Sequence, residues 1–532
     1  MVEVKRNLLQ SVIWIVPVLT LLFFANAGDA SEKILQQKCM GCHIPESFEP
    51  LKLSRISHQR KSPEGWLMTI GRMQVMHGLQ ISEKERAALV QHLADTQGLA
   101  PSESKPYRYI LERRLNHSEQ RQPELAEMCA RCHSEARVGL QRREESEWRH
   151  LVHFHLGQWP SVEFSAMGRD RDWLGIALNE VVPYLGEKYP LESEAWSDWQ
   201  QEKKQNIEGR WRLVGSMPGK GDFQGDVTVA GLNKGKASMH FTGEFANGEK
   251  LKGEGELVLY SGYEWRGSLA AGEQRYKQVF ALSEDGKSLS GRMYLSDHEE
   301  LGVDIHGVRG DESKLLAMSP NYIAAGNEAV ISIRGANLKG AVTLGEGLEL
   351  VSEIARSEDE ILVQVRAGKT ATAFNASVSV GNVKKTNAIT IYDRVSEIRI
   401  EPGYAVARVG DGGGSQGKVK AAFEAVGYAA GKDGIAGTSD DLKIGVLPAT
   451  WRIAAFSAKA EEDRDVEFAG VINAKTGVFT PGDAGPNPKR KFKTNNAGHL
   501  SVIAEVLDGE QLVKGTSELI VTVQRWNNPP IR

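Results

Sequence analysis

The sequence is poor in cysteine, with four in 532 residues, and after residue 24 it has no apolar run long enough to cross a bilayer. A disulfide-dense scaffold and a multispan membrane protein are both excluded. It also lacks a surplus of either charge. Its 65 Lys and Arg face 69 Asp and Glu, and the net charge of −4 gives no argument for nucleic acid or another polyanion as partner. No G-x-S-x-G elbow, Walker loop or H-E-x-x-H occurs, and the Gly-rich 409–417 does not follow the dinucleotide fingerprint.

What is present begins with an export signal. Lys5 and Arg6 make a basic start, and Ser11 to Phe24 is almost wholly apolar, interrupted by Pro17. Ala25-Asn26-Ala27 is a small-x-small cleavage site, with Gly28-Asp29-Ala30 as a second option. The run is shorter than the roughly 20 residues of a spanning helix, which favours cleavage over an uncleaved anchor. The expected mature protein is periplasmic and has no membrane span.

Composition changes near residue 200. The first 200 residues hold nine of 13 histidines, all four cysteines and seven of 11 tryptophans, but only 11 of 55 glycines. Helical periodicity dominates there. Ser82 with Glu85 makes a capping box ahead of Leu89, Val90 and Leu93, and Asp172 to Leu185 is amphipathic. Beyond residue 200 short alternating strands are separated by Gly, Asn and Asp turns. The expected fold is multidomain: a signal peptide (1–30), an α-helical dihaem cytochrome c domain (31–200), and three antiparallel β domains. These are a barrel or sandwich (201–313) and two immunoglobulin-like units (314–394 and 395–532).

The haem assignment rests on Cys39-Met-Gly-Cys42-His43 and Cys129-Ala-Arg-Cys132-His133, both C-x-x-C-H. Two thiols at this spacing reach the two vinyl groups of one porphyrin, and the next residue carries an imidazole to the iron. Local disulfides, a zinc site and a thioredoxin-like motif compete. The pairs are too far apart for a compact zinc module, and the helical surroundings lack the βαβ context of a redox motif. Two copies in an exported chain, using every cysteine present, favour covalent haem.

Internal comparison suggests the distal ligands. Superimposing Trp66 on Trp148 sets Met73 opposite His155, each seven residues, or two helical turns, further on. The expected iron ligands are His43 and Met73 for the first haem, His133 and His155 for the second. Met76, His77 and His153 compete, and core packing is the plain alternative for the methionines. With both axial positions filled, electron transfer is favoured over binding of peroxide, oxygen or nitrite. A dihaem peroxidase, which needs a haem with an accessible sixth position, is one alternative. A free-standing dihaem cytochrome with β docking modules is another. Residues 431–441 resemble an acidic calcium loop but lack its full spacing, so a plain hairpin turn is favoured; Arg169 to Asp172 read as a surface salt-bridged helix start in preference to a docking patch.

Over essentially all of the mature chain, the order of these parts resembles the α subunit of the quinohaemoprotein amine dehydrogenases. Residues 153–164, 169–185 and 432–445 are the local stretches that carry the likeness. The resemblance implies a periplasmic heterotrimer, with a β-propeller subunit and a small subunit bearing cysteine tryptophylquinone. That quinone would oxidise a primary amine to aldehyde and ammonia. Its electrons would pass through the two haem c groups of this chain to an external copper protein or cytochrome c. The amine-oxidising residues would lie on the partner, and none on this chain.

Overall fold

The computed structural model describes residues 27–158 and 170–524. The expected signal sequence over 1–26 and the intervening segment 159–169, with Arg169, lie outside the described residues.

The N-terminal region has four long helices, Ala27–Cys39, Pro63–His77, Glu83–Thr96 and Glu145–Gln158, joined by one-turn helices and irregular chain. Two small ribbons interrupt it, Pro45–Phe48 with Leu51–Leu53 and Gln59–Lys61 with Gln141–Arg143. It is therefore a helical region with β ribbons, not the all-helical domain expected. Local chemistry sets the helix ends. Ser62 Oγ accepts from Gly65 N–H ahead of Pro63 at the first helical position, and Gly78 ends that helix in the left-handed conformation at φ 70°. The Ser82–Glu85 capping box forms in both directions and buries Leu89, Val90 and Leu93. The amphipathic 172–185 stretch departs from expectation. It runs as Trp173–Ile176, a π turn at Ala177–Val181, then Val182–Lys188. Pro183 has no N–H to give Asn179 and its ring crowds that carbonyl, which accounts for the widened turn.

Eight antiparallel strands from Gly209–Met217 to Gly302–Arg309 close into a barrel, the first pairing with the last. Closure leaves no edge strand. Trp211, Phe223, Phe241, Phe245, Trp265, Tyr276 and Phe280 fill its interior as a packed core. Residues 314–392 form two four-stranded sheets packed face to face around Ile331, Ile333, Val363, Val378 and Ile391. The last domain is another sandwich, with a four-stranded sheet built on Gly498–Asp508 and Gln511–Thr522 and two three-stranded sheets beside it.

The barrel is joined to the N-terminal region by specific polar contacts. Arg266 reaches Glu64 at 2.6 Å, in the first turn of Pro63–His77. Ser261 Oγ donates to Ala94 O at 2.8 Å, and Trp199 Nε1 donates to Ser261 O at 2.9 Å. Helix Pro63–His77, which carries Met73, is thus anchored to the closed barrel.

Candidate haem site

The N-terminal region is two lobes built to one plan. The antiparallel ribbon pairs Gln59 with Arg143, Arg60 with Arg142 and Lys61 with Gln141. The strands read Gln-Arg-Lys and Gln-Arg-Arg, and each is followed five residues on by Trp66 or Trp148. Gln97 O accepts from Lys61 N–H and Trp66 Nε1, both at 3.0 Å. Tyr189 O accepts from Arg143 N–H at 3.2 Å and Trp148 Nε1 at 3.4 Å. An approximate two-fold relation therefore passes between Arg60 and Arg142. The sequence comparison stopped at the tryptophans. Extending it seven residues upstream would have found the Gln-Arg-cation strands.

Arg60 and Arg142 share one buried carboxylate on that axis. Glu103 accepts from Arg60 Nη1 and Nη2 at 2.9 Å each, from Arg142 Nε at 3.0 Å and from Ser193 Oγ at 2.8 Å. Burial opposes its ionisation, yet the two guanidiniums and the Ala100 N–H hold its pKa down at about 2. Glu103 fastens both lobes and the N-terminus of helix Glu194–Gln201 together.

Each cysteine motif borders its lobe's apolar core. Cys39, at the C-terminus of Ala27–Cys39, packs with Trp66, Ile70, Leu89 and Leu93; Cys129 packs against Leu125, Met128, Trp148 and Trp173. All four cysteines are free, with Cys42 and Cys132 exposed. Burial raises the Cys39 thiol to about 11 and the Cys129 thiol to about 12, so neither is a ready thiolate at neutral pH.

The imidazoles carry the fit to haem iron. His43 Nδ1 donates to Ser54 O at 2.8 Å and His133 Nδ1 to Ser134 O at 2.9 Å. His155 Nδ1 donates to Leu151 O at 2.7 Å. A carbonyl only accepts, so the proton is on Nδ1 and the lone pair is on Nε2, the tautomer a metal-ligating histidine needs. His133 is brought near His155. Burial chiefly holds the His133 pKa below the usual value, and the positive charge of Arg137 adds to this.

Met73 and His155 are half-buried on helices whose Trp66 and Trp148 are wholly buried. Met76 is 52% exposed, and His77 and His153 also face solvent. Arg131, inside the second motif, pairs with Asp170 at 2.8 Å, while Asp172 caps the following helix through Gly175 N–H. The 431–441 loop consumes its own acids. Asp440 accepts from Lys432 N–H and Thr438 Oγ at 2.7 Å, and Asp441 pairs with Arg399 at 2.9 Å. Among the described residues no cluster of three or more His, Cys, Asp or Glu is set to hold a metal ion.

Four family models match in chain order. "Quinohemoprotein amine dehydrogenase A, alpha subunit, haem binding" covers residues 29–196, and domain II of the same subunit covers 204–310. Domain III covers 312–393 and domain IV covers 398–531. No curated protein matches at a significant level. Solved structures with some likeness include a de novo designed fluorescence-activating β-barrel, 19% identical with TM-score 0.17, spanning 19% of this chain and 92% of that one. Domains 5-6 of the S-layer protein SbsC are 15% identical with TM-score 0.16, spanning 40% and 99%. SGBP-B of the Bacteroides ovatus mixed-linkage glucan utilization locus is 10% identical with TM-score 0.19, spanning 59% and 60%. Likenesses this weak carry no argument. The four family matches together span nearly the whole chain, which therefore belongs to the quinohemoprotein amine dehydrogenase α-subunit family.

Proposed function

We propose that this chain is the dihaem electron-transfer subunit of a periplasmic amine dehydrogenase. The observation that supports it most is the duplicated lobe. Each copy places one C-x-x-C-H against an apolar core, and the imidazoles at His43, His133 and His155 have Nδ1 spent on a carbonyl and Nε2 left for iron.

In this reading Cys39 and Cys42 hold the first haem, and Cys129 and Cys132 the second. Haem supplies a one-electron carrier when bound. His43 and Met73 would hold the first iron, His133 and His155 the second. The carbonyls of Ser54, Ser134 and Leu151 fix the imidazole orientations. A Met ligand raises haem potential relative to a second His, other things equal, so the two carriers differ. With two side chains given to each iron, the residues would favour electron transfer over peroxide chemistry.

Amine oxidation belongs to a quinone-bearing small subunit, and a β-propeller subunit completes the assembly. Electrons leave to a copper protein or cytochrome c. Family membership supports this over a free-standing cytochrome, because the matched models describe an α subunit. The test is coexpression of this chain with a propeller and a quinone-bearing peptide, followed by anaerobic addition of a primary amine. The account predicts a stable complex whose haem bands shift to the reduced form, while the isolated chain gives no response. A chain that never assembles, or haems that stay oxidised in a complex with a competent quinone, would refute it.

A further inference from the structure

The ribbon between the lobes buries more positive charge than it neutralises. Arg60 and Arg142 on one side share Glu103. On the other side Lys61 is 2% exposed and Arg143 is 4% exposed. The Lys61 ammonium donates to Thr69 Oγ at 2.7 Å and lies 5.1 Å from the centre of the Trp66 ring. Its counterpart Arg143 lies 5.4 Å over Trp148 and donates to Gln141 Oε1. Arg72, next to Met73 in sequence, crosses to the second lobe and lies 5.5 Å over Phe154, the neighbour of His155.

Anions are scarce here. Glu147 pairs with Arg55 at 2.6 Å and stands 3.8 Å from Arg143, and its Oε2 accepts no hydrogen bond. Among the described residues Lys61 and Arg72 have no carboxylate within ion-pair distance. Electrostatically the group is one cluster, since Lys61 feels Arg143, Arg72, Arg55 and Glu147 together. Arg72 also feels Arg137, which in turn acts on His133. Cations buried without a partner are costly enough that the group would deprotonate or the site would open, unless an anion compensates. On its other side the ribbon gives both Arg60 and Arg142 a directly hydrogen-bonded carboxylate, Glu103, so the lack of one at Lys61 and Arg72 calls for a counterion from outside the chain.

The geometry points to Lys61, Arg72 and Arg143 as the receptor for haem carboxylates at the seam, with Arg72 reaching across to the second haem. This rests on the dihaem reading above. The carboxylates supply the negative charge the cluster lacks. The cations, fixed on elements of both lobes, favour the reduced iron, because the reduced haem carries one positive charge fewer. Arg72 thereby acts as a positioning and potential-setting residue for a haem it does not ligate.

The test uses full-length protein matured in the periplasm. Haem per chain is counted in every variant, and both midpoint potentials are read by spectroelectrochemistry. Arg72→Gln is the informative change, because Arg72 is only half-buried and its loss leaves the ribbon intact. With two haems retained, it should lower the second haem's midpoint by a tenfold change in the reduction equilibrium, about 59 mV for one electron. Arg72→Lys, which keeps the charge, should restore most of that shift. Lys61→Gln should act in the same direction if the variant folds. A second haem whose midpoint is unmoved in haem-replete Arg72→Gln overturns the inference and leaves the dihaem reading standing. Absence of haem from the wild-type chain overturns the dihaem reading itself.

Discussion

At the residue scale, the two C-x-x-C-H motifs stand out most clearly in the sequence, because the spacing that would let two thiols reach one porphyrin is a property of a few adjacent residues. The distal ligands needed a comparison between two stretches 82 positions apart, Met73 and His155. In this account Met73→Ala removes the methionine–iron charge-transfer band in the red and leaves two haems attached. His155→Ala turns the second haem high-spin with its thioethers intact. Survival of the band in the first variant would transfer the ligand role to Met76 or His77. Glu103 was invisible in the sequence, since nothing local marks an acid whose partners Arg60 and Arg142 lie 43 and 39 residues away. Glu103→Ala strands two buried guanidiniums and should cost about 3–5 kcal/mol in denaturant unfolding. Its folded pKa lies below the unfolded value, so its stabilisation is complete above about 4.5 and is lost as pH falls toward about 2.

Elements were legible wherever their ends are set by neighbours. The Ser82–Glu85 box and the alternating β segments are examples. The Pro183 π turn was not, because periodicity reports a face and not the number of residues per turn. Helix Pro63–His77 is also held from outside, by Arg266 of the barrel strand Glu264–Ala271. That arginine bonds both Glu64 and Glu264. Glu264 is buried, with one oxygen lacking a partner, and burial lifts its pKa to about 7 even though Arg266 opposes the rise. A carboxyl with a raised folded pKa loses stability as pH climbs from its unfolded value of about 4.5 to about 7, with no further loss above that. Glu264→Gln should therefore gain on wild type across that window in thermal melts, with a constant difference above it. A difference independent of pH would show that Glu264 is ionised throughout.

For the whole molecule, the sequence indicated a helical region followed by three β units. Barrel closure was beyond it, because pairing Gly209–Met217 with Gly302–Arg309 joins strands at opposite ends of the domain and leaves no local trace. The long-range polar seams were equally hidden. Yet they decide how the lobes stand on the barrel, and so how the two candidate haem sites face each other. The two-fold ribbon makes the N-terminal region one duplicated unit, its lobes joined through the ribbon and Glu103. That suits passage of single electrons through the molecule better than independent action of two sites.

The central claim is that both lobes carry covalent haem. The direct measurement is a haem-stained denaturing gel with pyridine haemochrome quantification, on protein matured in the periplasm. Two haems per polypeptide, surviving denaturation, is the result this account predicts. One haem would leave a lobe of the repeat without its function, and none would contradict the account outright.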